Sequence, residues 1–145
     1  MLFRISLIAT LLAAAISAAT AATPDRTRYA CPVIGIKDGD TLAVNLPGLP
    51  AQLNPVAVRV RSVDTPESGG RAKCVGERKL AEQATRFTRQ AIITAARIEF
   101  ERPNWDKYGG RIDADVWIDG RLLSEQLIAA GLARRYDGGK RAGWC

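Results

Sequence analysis

Four segments carry the residue types that suit chemistry. They are Asp38-Gly39-Asp40-Thr41; Arg59, followed after four residues by Asp64-Thr65-Pro66-Glu67; Asp106-Lys107-Tyr108-Gly109-Gly110-Arg111; and Gly131-Leu132-Ala133 leading into Arg134, Arg135 and Tyr136. The chain has no histidine. A Ser-His-Asp triad, a Cys-His pair and a histidine-bound zinc site are therefore excluded. Any hydrolysis here has to rest on carboxylates and arginines, with or without a hard metal ion. Asp40 and Asp64 offer the oxygen ligands that Ca²⁺ takes. Glu67, three residues beyond Asp64, is placed to hold and deprotonate a water. Arg59 and Arg111, from separate segments, can fork onto phosphate oxygens. Each segment also has a plainer reading on its own. Asp-Gly-Asp-Thr is ordinary turn chemistry, and Asp-Thr-Pro-Glu resembles a helix N-cap with Pro66 in the first turn. Lys-Tyr-Gly-Gly-Arg is another turn, and Arg59 with Arg61 can line a solvated strand face. Jointly they are the parts that a histidine-free attack on a phosphodiester requires.

The elements that must position these residues follow from periodicity. Pro32 to Lys37 and Thr41 to Leu46 read as two strands joined by an Asp-Gly turn. Val56 to Val63 alternates, with Val56, Val58 and Val60 on one face and Arg59 and Arg61 on the other. A loop follows from Asp64 to Arg71. Cys74 to Ala96 reads as a long helix, with Leu80, Ala84, Phe87, Ala91 and Ala95 along one stripe. Ile98 to Phe100 is a short strand, Pro103 to Gly110 a turn-rich loop, and Arg111 to Ile118 another strand. Leu122 to Ala130 is a second helix with Leu123, Leu127 and Ile128 inward, stopped by Gly131. Three strands, a helix, two strands and a helix match a five-stranded antiparallel Greek-key barrel of the OB-fold type. The same order also suits an open α+β sheet.

At 145 residues the chain is one domain. Lys and Arg outnumber Asp and Glu by 21 to 15, and a net charge of +6 favours a polyanionic partner. Met1 to Arg4 and the uncharged Ile5 to Ala19 form the basic and apolar regions of a signal peptide, with Ala19-Thr20-Ala21 before the cut. Residues 1–21 are expected to be removed, leaving a domain over 22–145 in a secreted or periplasmic protein. The uncharged stretch also approaches spanning length, so an uncleaved form would be membrane-tethered. Export puts Cys31, Cys74 and Cys145 where disulfides persist, and their odd number leaves one over.

With these motifs assembled, the sequence resembles the staphylococcal nuclease (thermonuclease) family from Val33 to about Tyr136, leaving residues 137–145 as a basic, glycine-rich tail. The Arg-x4-Asp-Thr-Pro-Glu block is the most specific part. Asp-Gly-Asp-Thr, Asp-Lys-Tyr-Gly and the run from Asp119 to Ala133 extend it. The resemblance implies an α+β OB-fold and a Ca²⁺-dependent phosphodiesterase that hydrolyses DNA and RNA to 3′-phosphates. It implies that Asp40, Asp64 and the Thr65 carbonyl bind the metal and that Glu67, Arg59 and Arg111 are catalytic. Lys107, Tyr108 and Tyr136 would contact substrate, and Asp38 would lie beside the metal ligands. The family pattern has arginine directly after Lys-Tyr-Gly, so Gly110 is an inserted loop residue. A silent OB-fold that only binds nucleic acid would be expected to lack Glu67 or one of the arginines, and all three are present. A monomer is expected.

The same resemblance brings the chain past Tyr136 near the loop before the long helix. A Cys74–Cys145 disulfide is therefore expected, with Cys31 left over as a small apolar residue. Pairings of Cys31 with Cys74 or with Cys145 remain open at this stage.

Overall fold

The computed structural model describes residues 27–107 and 109–145. The expected signal peptide and Tyr108 lie outside the described residues. The strands are β1 (Arg28–Tyr29), β2 (Val33–Asp38), β3 (Thr41–Val44), β4 (Val56–Val60), β5 (Val63–Asp64), β6 (Ile98–Trp105), β7 (Arg111–Ile118), β8 (Arg121–Leu122) and β9 (Arg134–Arg135). The helices are α1 (Val75–Thr94) and α2 (Leu123–Ala129).

The main sheet has the order β1-β6-β7-β4-β3-β2, with β8 also on β7, and β5 pairs with β9 in a separate ladder. The OB-fold strand order is borne out. Two details differ from the expected antiparallel barrel. The β4–β7 pair is parallel, because the chain crosses over through α1 and β6 before β7 returns beside β4. Among the described residues no ladder joins β2 to β6, so the sheet is a curved path and not a closed ring.

The β4 alternation is as expected: Val56, Val58 and Val60 are buried, while Arg59 and Arg61 are partly exposed. Val58 and Val60 join Leu42, Val44, Phe100, Ala114, Val116, Leu123 and Leu127 in one core. On α1 the most buried positions are Glu77, Ala81, Ala84 and Thr88. The anticipated stripe of Leu80, Phe87, Ala91 and Ala95 packs on the flank of that face, because two polar side chains take positions on the buried face itself.

Two stretches outside the expected strands are paired in the sheet. Arg28 and Tyr29 pair with Glu101 and Phe100. β6 continues to Trp105, with Asn104 opposite Asp113 and Trp105 opposite Ile112. A register shift between Glu101 and Asn104, with Arg102 at φ 52°, is a bulge that breaks the alternation and accommodates Pro103. Asp64-Thr65-Pro66-Glu67 caps no helix. α1 begins at Val75, and the Cys74 sulfur accepts the Glu77 N–H at 3.4 Å.

Candidate active site

Strand register assembles the cleft. β3 and β4 place Thr41 opposite Arg59, which sets Arg59 beside the Asp38–Thr41 turn. The parallel β4–β7 ladder places Arg111 opposite Ala57 and Asp113 opposite Arg59. Arg59, Arg111 and Asp113 therefore share one face of the sheet, since side chains alternate along a strand. The β5–β9 ladder sets Asp64 opposite Arg134, and the Tyr136 N–H donates to the Ser62 carbonyl at 3.1 Å. That ladder brings the last motif against the Asp-Thr-Pro-Glu block.

The turn at Gly39 owes its glycine to space and not to backbone conformation, since its φ is not positive. A Cβ there would lie 2.7 Å from the Ala84 Cβ and 3.1 Å from Thr65 Cγ2. The Gly39 carbonyl accepts the Thr88 hydroxyl at 2.6 Å. α1 thus presses directly on the turn and fixes it relative to Thr65.

Asp40, Thr41, Asp64 and Thr65 are all buried. Asp40 Oδ1 accepts the Thr41 hydroxyl at 3.0 Å and Oδ2 the Thr65 N–H at 3.3 Å. Arg59 Nη2 reaches Val63 O at 3.1 Å, Asp40 Oδ2 at 3.5 Å and Asp64 Oδ1 at 3.9 Å. Asp38 accepts the Asp40 N–H at 3.2 Å. Burial and the neighbouring Asp40 charge push the Asp38 carboxyl above the usual range.

Glu67 is held from three directions. Its Oε2 pairs with Arg71 Nε at 2.9 Å and its Oε1 with Arg141 Nη1 at 2.7 Å. Its backbone N–H donates to Glu77 Oε1 at 3.3 Å, while Glu77 Oε2 accepts the Lys73 N–H at 2.6 Å. Glu77 is buried in the first turn of α1. It ties the loop that carries Glu67 to the helix, and sequence reading missed it. The signal was there: Cys74-x-x-Glu77 has capping-box spacing, with cysteine in place of serine or threonine.

Arg111 is anchored by Asp106 Oδ2, 2.8 Å from its Nε and also 2.8 Å from its Nη2. Gly109 and Gly110, both at positive φ, form the loop between them, which accommodates the extra glycine before Arg111. A small pocket of about 60 Å³ is lined by Asp38, Asp40, Thr65, Glu67, Arg59 and Arg111. A groove of about 700 Å³ adjoins it and is lined by Arg59, Arg111, Lys107, Tyr136 and Arg141. Arg59, Arg111 and Arg141 line both. Tyr136 sits with its ring centroid 5.9 Å from the Arg59 guanidinium. Asp113 also lines the groove, and its buried Oδ1 has no hydrogen-bond partner among the described atoms.

The Cys74–Cys145 disulfide is present, with Cα atoms 6.0 Å apart, and Cys31 is free. It brings residues 137–145 into the cleft. Arg141 Nε lies 3.1 Å from Asp64 Oδ1, and the Trp144 indole N–H donates to Asp64 Oδ2 at 3.2 Å. Burial works against the Arg141 charge, but Asp64, Tyr136 and Glu67 outweigh it and push its pKa up. Sequence reading took residues 137–145 as a basic, glycine-rich tail and placed neither Arg141 nor Trp144 at the carboxylates. Among the described residues no three acidic or cysteine side chains converge on one point. The oxygens that could hold a cation are those of two buried carboxylates, Asp40 and Asp64, with the Thr65 carbonyl. These are hard oxygens and fit Ca²⁺ when water completes the shell.

The fold is of the OB type, and its small pocket, lined by carboxylates and arginines, adjoins an arginine-lined groove. The chain belongs to the staphylococcal nuclease family: the family model described as "Staphylococcal nuclease homologue" matches residues 57–142, more than half of the sequence. That span omits the Asp38–Thr41 turn and runs past Tyr136 into the segment that carries Arg141. Two relatives are from Bacillus subtilis strain 168. The SPbeta prophage-derived endonuclease YokF and the endonuclease YncB are each 34% identical over 99 residues, or 67% of this chain. The matched region spans 31% of YokF and 43% of YncB, so both relatives extend well beyond it.

Proposed function

We propose that this protein is a nuclease that hydrolyses phosphodiester bonds of DNA and RNA with Ca²⁺, leaving 3′-phosphates. The observation that carries the reading is one cleft in which Asp40 and Glu67 meet Arg59 and Arg111 beside a basic groove, with Asp64 3.9 Å from the Arg59 guanidinium. Family membership and the endonuclease names of the two relatives support it.

Asp40, Asp64 and the Thr65 carbonyl would hold the cation. When bound, it neutralises a phosphate oxygen and acts as a Lewis acid. The chain's own residues do the rest. Glu67, held by Arg71, Arg141 and its backbone bond to Glu77, orients a water toward phosphorus and accepts its proton. Arg59 and Arg111 donate to the phosphate oxygens on which charge grows in the transition state. Each such preorganised donor is worth about 3–4 kcal/mol by analogy with oxyanion holes. Lys107, Arg134, Arg135, Lys140 and Arg141 contribute positive charge toward the backbone, and Tyr136 offers a ring on which a base can stack. Asp38 buttresses Asp40 through its backbone N–H.

The Cys74–Cys145 bond suits an oxidising compartment. It supports export to a secreted or periplasmic location, and the exported form we propose is a monomer processed to residues 22–145. Among the described residues no helix is long and apolar enough to cross a membrane. Nicking of supercoiled DNA with Ca²⁺, compared with chelator and with Glu67→Ala, tests the activity. Cleavage that survives both would overturn the reading. The mass of the protein recovered from culture medium and periplasm tests the processing at residue 21.

A further inference from the structure

We propose that Trp144, delivered by the Cys74–Cys145 bond, is a positioning residue for Asp64, selecting which carboxylate oxygen faces a bound cation. The inference rests on Asp64 being a metal ligand, as proposed above.

Residues 137–145 contain neither helix nor strand and include Gly138, Gly139 and Gly143. Such a segment frays unless it is tied down. Here it is tied at several points. The Tyr136 hydroxyl donates to Gly139 O at 2.8 Å, and Arg134 Nη1 donates to Gly143 O at 2.8 Å. The Arg134 guanidinium lies 3.9 Å from the centroid of the Trp144 ring. Cys145, the next residue, is bonded to Cys74 at the start of α1. The indole is therefore held on one side by an arginine and at its backbone by a covalent bond, and its N–H meets Asp64 Oδ2 at 3.2 Å.

An indole N–H donates only; it can neither accept nor ligate. Its bond to Oδ2 therefore breaks the two-fold equivalence of the carboxylate. Oδ1 is left as the oxygen that faces cations, and both nearby guanidinium contacts are at that atom, Arg141 Nε at 3.1 Å and Arg59 Nη2 at 3.9 Å. A carboxylate fixed in this way presents one oxygen without the entropy cost of choosing it. Partners that orient metal-ligating groups are typically worth 10–100-fold in metal affinity.

A simple plug is the competing account, because Arg141 also bridges Asp64 and Glu67. The two accounts differ in sign. If the segment only blocked the carboxylates, weakening it would tighten cation binding. If Trp144 orients Asp64, losing its N–H weakens binding even though Arg141 stays.

The test is calorimetric Ca²⁺ titration of the oxidised protein and its Trp144→Phe variant. Phenylalanine keeps a ring under Arg134 and removes the N–H. Trp144 lies outside the buried core, so the melting temperature should hold and will be checked, with mass confirming the disulfide. The expected result is a Kd for Ca²⁺ raised about 10–100-fold, while Arg141→Gln, which removes a competing cation, leaves it equal or lower. A Trp144→Phe Kd equal to or below that of the parent overturns the proposal. Asp64→Asn is measured alongside. If it too leaves Ca²⁺ binding intact, the metal site itself is wrong and the Trp144 role falls with it. If only Asp64→Asn weakens binding, the metal site stands and the Trp144 role alone is refuted.

Discussion

Arg59 and Arg61 lie two residues apart on the same strand face, and their surroundings predict opposite consequences for one substitution. The Arg59 side chain is 12% exposed, and its Nη2 sits among Val63 O, Asp40 and Asp64 at 3.1, 3.5 and 3.9 Å. It lines both the small pocket and the groove. Arg59→Lys keeps a positive charge near the two carboxylates, so folding should survive. Lysine cannot reproduce the planar fork, so one donor to the phosphate is lost. By analogy with an oxyanion-hole donor the loss is about 2.7–4 kcal/mol in the transition state, or roughly 10²–10³ in kcat. Arg61 instead donates from Nη2 to Arg102 O at 2.8 Å and Asp113 O at 3.0 Å, tying the end of β4 to the β6 bulge and to β7. A charge-assisted hydrogen bond contributes about 1.5–3 kcal/mol when well shielded. Solvent reaches these two and lysine can retain one, so Arg61→Lys should cost only ~1–2 kcal/mol of stability and leave turnover per folded molecule intact. Steady-state DNA cleavage, normalised to the folded fraction, and urea unfolding of both variants make the comparison. The reasoning fails if Arg61→Lys loses turnover as Arg59→Lys does, or if Arg59→Lys stays within threefold of the parent.

The other predictions concern the frame around the cleft. Cys145→Ser removes a cross-link spanning 71 residues. The chain-entropy model gives up to about 4.4 kcal/mol for it, and a urea midpoint that does not move would refute that stabilisation. Gly39→Ala inserts a methyl 2.7 Å from the Ala84 Cβ. It should destabilise by about 1–3 kcal/mol through overpacking, and an unchanged melting temperature would show that α1 does not press on the turn. Cys31 is the free thiol, and burial pushes its pKa up. Its thiolate fraction at pH 8 is therefore depressed, so iodoacetamide should label it more slowly than a small-molecule thiol and accelerate as pH rises through the raised pKa. Labelling at the small-molecule rate would count against its burial.

The legible parts of the sequence were those whose information is local. Alternation at Val56, Val58 and Val60 marked β4 because a two-residue period needs only a few positions to show itself. The spacing from Arg59 to Glu67 was informative because β4, the turn at Arg61-Ser62 and β5 are short and continuous, so separation in sequence becomes separation in space. The β6 bulge was not legible. Arg102 at positive φ interrupts the alternation, and Pro103 then reads as a loop although pairing resumes at Asn104. Glu77 was missed for a related reason. A glutamate in a first helical turn usually satisfies its own N-terminus, whereas here one oxygen takes the Lys73 N–H and the other the distant Glu67 N–H.

The segment from Arg141 to Cys145 marks the harder limit. Its charge is indistinguishable in sequence from a solvated surface, and three cysteines allow three single pairings. The pairing present, Cys74 with Cys145, accompanies an indole and a guanidinium at Asp64. Local propensity for such a glycine-rich stretch is weak, so it cannot announce the contact. The contact depends on a covalent bond to the start of a helix 71 residues away in sequence. That helix also supplies Glu77 to the Glu67 loop and presses Ala84 against Gly39. The start and middle of α1 thus set the Asp40 turn, the Glu67 loop and the Asp64 strap together. A perturbation that shifts this helix should move all three carboxylates at once, whereas one confined to the strap should move Asp64 and the Arg141 contact to Glu67 and leave Asp40 in place.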